Sequence, residues 1–225
     1  MQTRLSPEGA LGLHLTLGIL ILTGAVWLFG AILEDIITGD PLTVLDRRIA
    51  VWLHEHATPP LTRIFVFISY LGMSAVTGAI SVVVGFALWR RRYYYRLLNL
   101  ALAVPGGMLL NVVLKYAVHR PRPIFDHPLV TLTTYSFPSG HAMAATVLYG
   151  ILAAFVVGTS RDRRSQVLAV VIAAALIAVV CFSRVYLGVH YLSDVLGGIT
   201  EGVAWLALCL TAVETFRRHR YRATP

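Results

Sequence analysis

Six runs of apolar residues constrain this chain more than any other feature, because each is close to the roughly 20 residues needed to cross a hydrocarbon core. They lie at about 11–33, 63–89, 97–117, 139–157, 166–182 and 192–213. A helix satisfies its own backbone polar groups in lipid. The runs therefore predict an all-α integral membrane bundle of six transmembrane helices. Composition agrees. Residues are 57% hydrophobic and 13% charged, about half the charged share of a soluble domain, and mean hydropathy is +0.72. No linker divides the chain, so a single domain over residues 1–225 is expected. The first run is too long for the apolar region of a signal peptide and shows no small-residue cleavage site, so it reads as a retained span.

The net charge is +8. In a soluble protein that would suggest a nucleic-acid partner. Here the arginines cluster between apolar runs, which points to membrane topology and away from nucleic acid. Arg4, Arg90, Arg91, Arg92, Arg96, Arg161, Arg163, Arg164, Arg217, Arg218, Arg220 and Arg222 make twelve of the nineteen basic residues. A six-span chain puts all twelve on the side of both termini, which the basic bias makes cytoplasmic. Trp89 and Tyr93, Tyr94 and Tyr95 fit an interfacial belt there. Cys181 and Cys209 fall inside apolar runs and read as buried thiols. Between the first two spans, residues 41–57 carry Leu42, Leu45, Ile49, Trp52 and Leu53 at helical spacing, with Asp46, Arg47, Arg48 and Glu55 between them. This predicts an extra amphipathic helix on the outer membrane surface, serving as a lipid-entry platform or as an ordinary connection.

Three polar clusters remain that hydropathy cannot explain. Lys115 ends the third span and leads through His119, Arg120, Pro121 and Arg122 to Pro123. The two prolines force an extended exit. Pro138, Ser139, Gly140 and His141 open the fourth span, with Ser139 suited to an N-cap and Gly140 to close backbone approach. Ser183 and Arg184 lead to His190 and Asp194 between the fifth and sixth spans. The six-span arrangement places all three clusters at the same, non-cytoplasmic helix ends, although none of them was used to set the orientation.

Lys115, Arg122 and Arg184 are cations with few acids nearby. Added to a helix N-terminus at Ser139 and Gly140, they make an anion site suited to phosphate. His190 and Asp194 stand at i and i+4. If the sixth span begins by His190, they share a helical face, and the carboxylate fixes the ring tautomer of a nucleophilic histidine. His141, near the cations and the helix start, suits protonation of a leaving oxygen.

Assembled, these residues resemble the type 2 phosphatidic acid phosphatase superfamily, which also contains the vanadium haloperoxidases. Its signature is K-x6-R-P, then P-S-G-H, then S-R-x5-H-x3-D. Lys115 with Arg122 and Pro123 fits the first part, Pro138 to His141 the second, and Ser183, Arg184, His190 and Asp194 the third. The likeness covers residues 115–194 and every fixed position is present. It implies phosphate ester hydrolysis without metal or cofactor, through a phosphohistidine on His190. Asp194 would orient that histidine and His141 would protonate the leaving group. Lys115, Arg122, Ser139, Gly140 and Arg184 would hold the phosphoryl oxygens. The implied substrate is a membrane lipid phosphate or pyrophosphate of the undecaprenyl pyrophosphate, phosphatidylglycerophosphate or phosphatidate class. The chain's size resembles bacterial members, so a cell inner membrane with the site facing the periplasm or exterior is expected. A lipid phosphotransferase on the same scaffold and a non-enzymatic lipid transporter with an anion site are the alternatives. The sequence carries no signal for an oligomeric state.

Outside the signature, Glu201 reads as a functional or a packing carboxylate, and Asn111 as a support for Lys115. His119 and Arg120 read as solvated neighbours of the site or as head-group selectors. His14 reads as a satisfied interior histidine. Gly198 and Gly202 read as a small-x3-small helix contact.

Overall fold

The computed structural model describes residues 10–39 and 41–223. Among the described residues eight α-helices follow one another: α1 (Ala10–Thr38), α2 (Pro41–Glu55), α3 (Pro59–Ser69), α4 (Ser74–Arg90), α5 (Tyr94–Val118), α6 (Gly140–Val157), α7 (Arg163–Tyr186) and α8 (Leu192–Ala223). Among the described residues there is no strand.

Five of these helices (α1, α5, α6, α7 and α8) are each long and apolar enough to cross a membrane. The run at 63–89 is not one straight helix. It breaks into α3 and α4, bent by 45°, through a 3₁₀ turn at Tyr70–Gly72 and an extended Met73. The cause is packing. A Cβ on Gly72 would stand 2.6 Å from Val180 Cγ1 and 3.0 Å from the His141 carbonyl oxygen, so only glycine lets the chain pass this close to α6 and α7. The Leu71 carbonyl at the break accepts a hydrogen bond from Tyr149 Oη at 2.8 Å. A backbone group freed in an apolar setting is thereby satisfied.

The bundle is built around α6. Ala142 through Tyr149 are all buried, while α1, α4 and α7 expose Leu20, Trp27, Val82, Val83, Leu168 and Val171. Outward apolar side chains cost nothing against lipid tails, so close backbone approach must hold such helices together. The α6–α8 crossing shows it. A Cβ on Gly198 would lie 2.5 Å from the Ser139 carbonyl oxygen, and one on Gly202 would lie 2.9 Å from Thr146 Cβ. The small-x3-small pair is therefore a contact within the chain.

Two helices differ from expectation near the polar clusters. The helix α7 continues through Ser183 and Arg184 to Tyr186, so the third cluster begins inside a helix and not in a connection. Ser183, Arg184, Val185 and Tyr186 are all buried, which keeps this last turn in protein. The helix α2 forms close to where it is expected, but it is also packed on the protein, along a stripe that shares only Leu53 with its named apolar positions. Thr43, Asp46, Ala50 and Leu53 are buried, and Leu45 and Trp52 are exposed. The spacing 43, 46, 50, 53 is a helical stripe, and Asp46 belongs to it because buried partners receive its charge.

Candidate active site

The C-terminal ends of α5 and α7 and the N-terminal ends of α6 and α8 meet at one end of the bundle. They bring the three clusters together. The helix α5 stops at His119, whose φ of 55° is left-handed. The chain then runs extended through Arg120 to Pro123. Lys115, in the last turn of α5, donates from Nζ to the Tyr135 carbonyl at 2.9 Å and the Ser136 carbonyl at 3.3 Å. Arg122 reaches back into the site. Its Nε donates to the Thr134 carbonyl at 2.6 Å, and its Nη1 donates to the Val189 carbonyl at 2.5 Å. Burial holds its guanidinium below the usual arginine range.

Ser139 occupies the N-cap position of α6, as its residue type suggests, but its side chain makes no cap bond. Its amide donates to the Asp194 carbonyl at 2.8 Å, tying α6 to α8. Its Oγ is buried without a partner, and so is Nε of Arg184. Buried donors of this kind are costly unless something accepts from them. A phosphoryl group would. The first-turn amides of α6 add to the same positive end. Gly140 is required here, because a Cβ would press on Asn111 Oδ1 at 3.0 Å.

His190 is 2% exposed and lies in the short segment before α8. It does not share a helical face with Asp194, because α8 begins only at Leu192. The pair meets through the capping turn instead. Asp194, third residue of α8, accepts the Tyr191 amide on Oδ2 at 2.8 Å, which is the backward half of a capping box. The same oxygen accepts from Ser136 Oγ and lies 3.4 Å from His190 Nδ1. On the other side of the ring, His190 Nε2 is 3.1 Å from Arg122 Nη1. A carboxylate at one nitrogen and a cation at the other assign the proton to Nδ1 and the lone pair to Nε2. Burial pushes the His190 pKa down to about 3 against the pull of Asp194, so the ring is neutral. His141 is half-buried in the first turn of α6, within the electrostatic field of Arg184, His190, Arg122 and Lys115. An apolar cavity of about 260 Å³ abuts Arg122 and Val189, walled by Pro121, Phe125, Val130 and Leu132.

All eight residues singled out from the sequence converge at this end of the bundle. Four others stand beside them that sequence reasoning did not assign. Arg120 is not solvated. It is 9% exposed and donates from Nη1 to Asp194 Oδ1 at 2.5 Å and Ser193 Oγ at 2.7 Å, and from Nη2 to Asp46 Oδ2 at 2.8 Å. Ser136 and Ser193 complete the ring of partners around the two carboxylates. Asp46 had one legible signal, an acid on the helical stripe of Thr43, Ala50 and Leu53. Asn111 does not support Lys115 directly. Its Nδ2 donates to Glu201 Oε2 at 2.7 Å, joining α5 to α8. His119 packs edge-on against Tyr135 with ring centroids 4.4 Å apart.

Converging cations, unpartnered buried donors and an oriented neutral histidine, all inside a bundle of membrane-length helices, make a candidate site for phosphoryl transfer. The chain belongs to the PAP2 superfamily, whose family model matches residues 94–218. It is 34% identical to phosphatidylglycerophosphatase B of Bacillus subtilis (strain 168) over 199 residues, covering 88% of this chain and 98% of that protein. It is 39% identical to human (Homo sapiens) sphingosine-1-phosphate phosphatase 2 over 96 residues, 41% of this chain and 23% of that one. The crystal structure of the transmembrane PAP2 type phosphatidylglycerolphosphate phosphatase from Bacillus subtilis superposes with a TM-score of 0.74 at 30% identity, over 90% of this chain and 96% of that one. Aquifex aeolicus LpxE shares the fold, with a TM-score of 0.59 at 24% identity, over 74% of this chain and 94% of that one.

Proposed function

We propose that this membrane lipid phosphatase hydrolyses a phosphomonoester on a glycerolipid head group, of the phosphatidylglycerophosphate class, through a phosphohistidine on His190. The observation that carries this reading is the setting of His190, a neutral ring whose Nε2 lone pair faces Arg122 Nη1 and whose Nδ1 faces Asp194. Nε2 of His190 attacks phosphorus as the bond from phosphorus to the lipid oxygen breaks. His141 supplies the proton that the departing alkoxide takes up. Water, giving a proton to His141, then attacks phosphorus as the bond from phosphorus to Nε2 breaks, which returns the electron pair to His190 and releases inorganic phosphate. Lys115, Arg122 and Arg184, Ser139 Oγ and the amide of Gly140 hold the phosphoryl oxygens and neutralise their charge. Positioning and charge neutralisation are the main catalytic needs of this reaction.

The substrate class follows from the relative matched along nearly its whole length, which is a phosphatidylglycerophosphatase. The cavity of about 260 Å³ beside Arg122 suits the apolar part of such a lipid. The whole chain, 1–225, works as one domain. With α3 and α4 counted as one bent span, the bundle has six spans and both termini on one side. Twelve of nineteen basic residues lie on that side, which makes it cytoplasmic. The site then faces the periplasm or exterior of a bacterial inner membrane, with α2 along the outer surface.

Phosphate release by the purified full chain, with chelator present, tests the proposal. Phosphatidylglycerophosphate, undecaprenyl pyrophosphate, phosphatidate and a lipid A phosphate form the panel. The expected result is release strongest from phosphatidylglycerophosphate, with a labelled phosphohistidine absent in His190→Ala. Preference for undecaprenyl pyrophosphate would overturn the substrate class. Phosphoryl recovered on an acceptor lipid, without free phosphate, would overturn hydrolysis.

A further inference from the structure

Asp46 is on α2, far in sequence from every residue assigned to the chemistry, yet it is 1% exposed. Both of its oxygens are taken. Oδ1 accepts from the Ser193 amide at 2.9 Å. Oδ2 accepts from Arg120 Nη2 at 2.8 Å and from Ser193 Oγ. Through Arg120 it is one guanidinium away from Asp194. We infer that Asp46 is a positioning residue for phosphoryl transfer. Acting through Arg120 on Asp194, it makes seating of the surface helix α2 a condition for a competent His190. This rests on the proposed role of His190 as nucleophile.

The argument is one of charge. A buried carboxylate beside a histidine raises that ring's basicity and stabilises the positive charge it acquires on attacking phosphorus. An arginine on the same carboxylate cancels that effect. Arg120 lies 2.5 Å from Asp194 Oδ1, so alone it would neutralise most of the field that Asp194 exerts on His190. Asp46 takes up the other half of the guanidinium. Two acids sharing one cation leave a net charge of about minus one beside His190. The arginine fork, with two nitrogens in one plane, suits this bridge in a way a lysine cannot. Burial opposes the charge on Arg120, but Asp194 and Asp46 more than offset it, so the guanidinium is held above its usual range. Its face also covers the Tyr191 ring at 4.5 Å.

The connection through α2 is not confined to one residue. His54, one turn beyond Ala50, stacks on Phe125 with centroids 4.0 Å apart. Phe125 is a wall of the cavity beside Arg122. The surface helix thus touches the cavity and, through Asp46, the partner of the nucleophile. Lifting α2 would leave Asp194 as the one carboxylate on Arg120.

The test is steady-state and single-turnover hydrolysis of phosphatidylglycerophosphate by the full chain in nanodiscs, comparing wild type, Asp46→Asn, Arg120→Lys and Ser193→Ala. Expected for Asp46→Asn and Arg120→Lys is a kcat and a phosphoenzyme formation rate lowered roughly ten- to a hundred-fold, as when the partner of an active-site group is removed. KM should stay within about two-fold, because neither residue is assigned to phosphate binding. Ser193→Ala keeps both charges and should lose only several-fold, and it stands in if Asp46→Asn does not fold. An unchanged kcat would overturn the inference. So would a loss that merely tracks the folded fraction, or a loss carried by KM. His190→Ala separates the two readings. If that variant keeps turning over, the proposed mechanism fails. If it is inactive while Asp46→Asn matches wild type, only this inference fails.

Discussion

The two ends of this bundle carry arginines in very different ways. At the catalytic end, Arg184 is 3% and Arg120 9% exposed. At the opposite end, Arg90, Arg91 and Arg92 are exposed, and Arg217 and Arg218 share Glu214 at 2.8 and 2.5 Å on a partly open surface. A buried guanidinium must have its partners chosen for it, since an uncompensated buried charge is costly. An exposed one needs only water, and its pairs add little. Motif spacing separates Arg184 from the arginines between the apolar runs, but it gives no sign that Arg120 is enclosed. Enclosure sets Arg120 and Arg184, at the candidate site, apart from Arg90, Arg91 and Arg92 at the other end.

Four substitutions and one pH series break or sharpen that contrast. His190→Ala removes the proposed nucleophile and should lower kcat by roughly 10⁴-fold or more, read as phosphate release together with trapping of labelled enzyme. Arg184→Lys keeps the charge and loses the guanidinium whose buried Nε has no partner. A fall of about 10²-fold in kcat is expected, on the scale of losing one preorganised donor. Gly198→Leu forces a side chain into the Ser139 carbonyl, where a Cβ alone would already stand at 2.5 Å. It should destabilise the fold by roughly 1–3 kcal/mol or more, seen as a lower midpoint of thermal unfolding in detergent. Glu214→Gln, at the open end, should shift stability by less than about 1 kcal/mol and leave turnover unchanged. A large effect there would erase the distinction between the two ends.

The pH series belongs to the closed end. His190 is held neutral, with its pKa pushed down to about 3 by burial, whereas in the unfolded chain it titrates near 6.5. Between those values the unfolded state binds the extra proton. Stability is therefore fully present above about pH 6.5 and is lost as pH falls toward about 3, at roughly 1.4 kcal/mol per pH unit. His190→Gln should flatten that part of the curve in acid unfolding. An unchanged slope would mean that His190 does not titrate across this window.

Much of this was legible in the sequence because it depends on local order. Run length gave the long apolar helices, and fixed spacing singled out Lys115, Arg122, Ser139, Gly140, His141, Arg184, His190 and Asp194, which the fold brings to one end of the bundle. What was not legible depends on contacts between distant segments. The bend between α3 and α4 has no proline to announce it. It exists because Gly72 must pass against His141 and Val180. Arg120 looked solvated because its two acids are each 74 residues away, one on each side. The inward stripe of α2 was not legible because Asp46 meets Arg120 and Ser193 from segments far away in sequence. The spacing of His190 and Asp194 suggested one helical face. The structure makes the same approach with a capping turn.

That capping turn has a consequence for anyone who wishes to disable this site cleanly. One oxygen of Asp194 both faces His190, the proposed nucleophile, and holds the amide of Tyr191, the residue on which the last helix begins. A substitution meant to silence the chemistry there also loosens the start of the helix that carries Glu201 and Gly198. An inactive Asp194 variant cannot then serve as a folded, substrate-binding stand-in for the wild type. For trapping bound lipid, His190→Gln is the better choice, since it spares the carboxylate on which the helix begins.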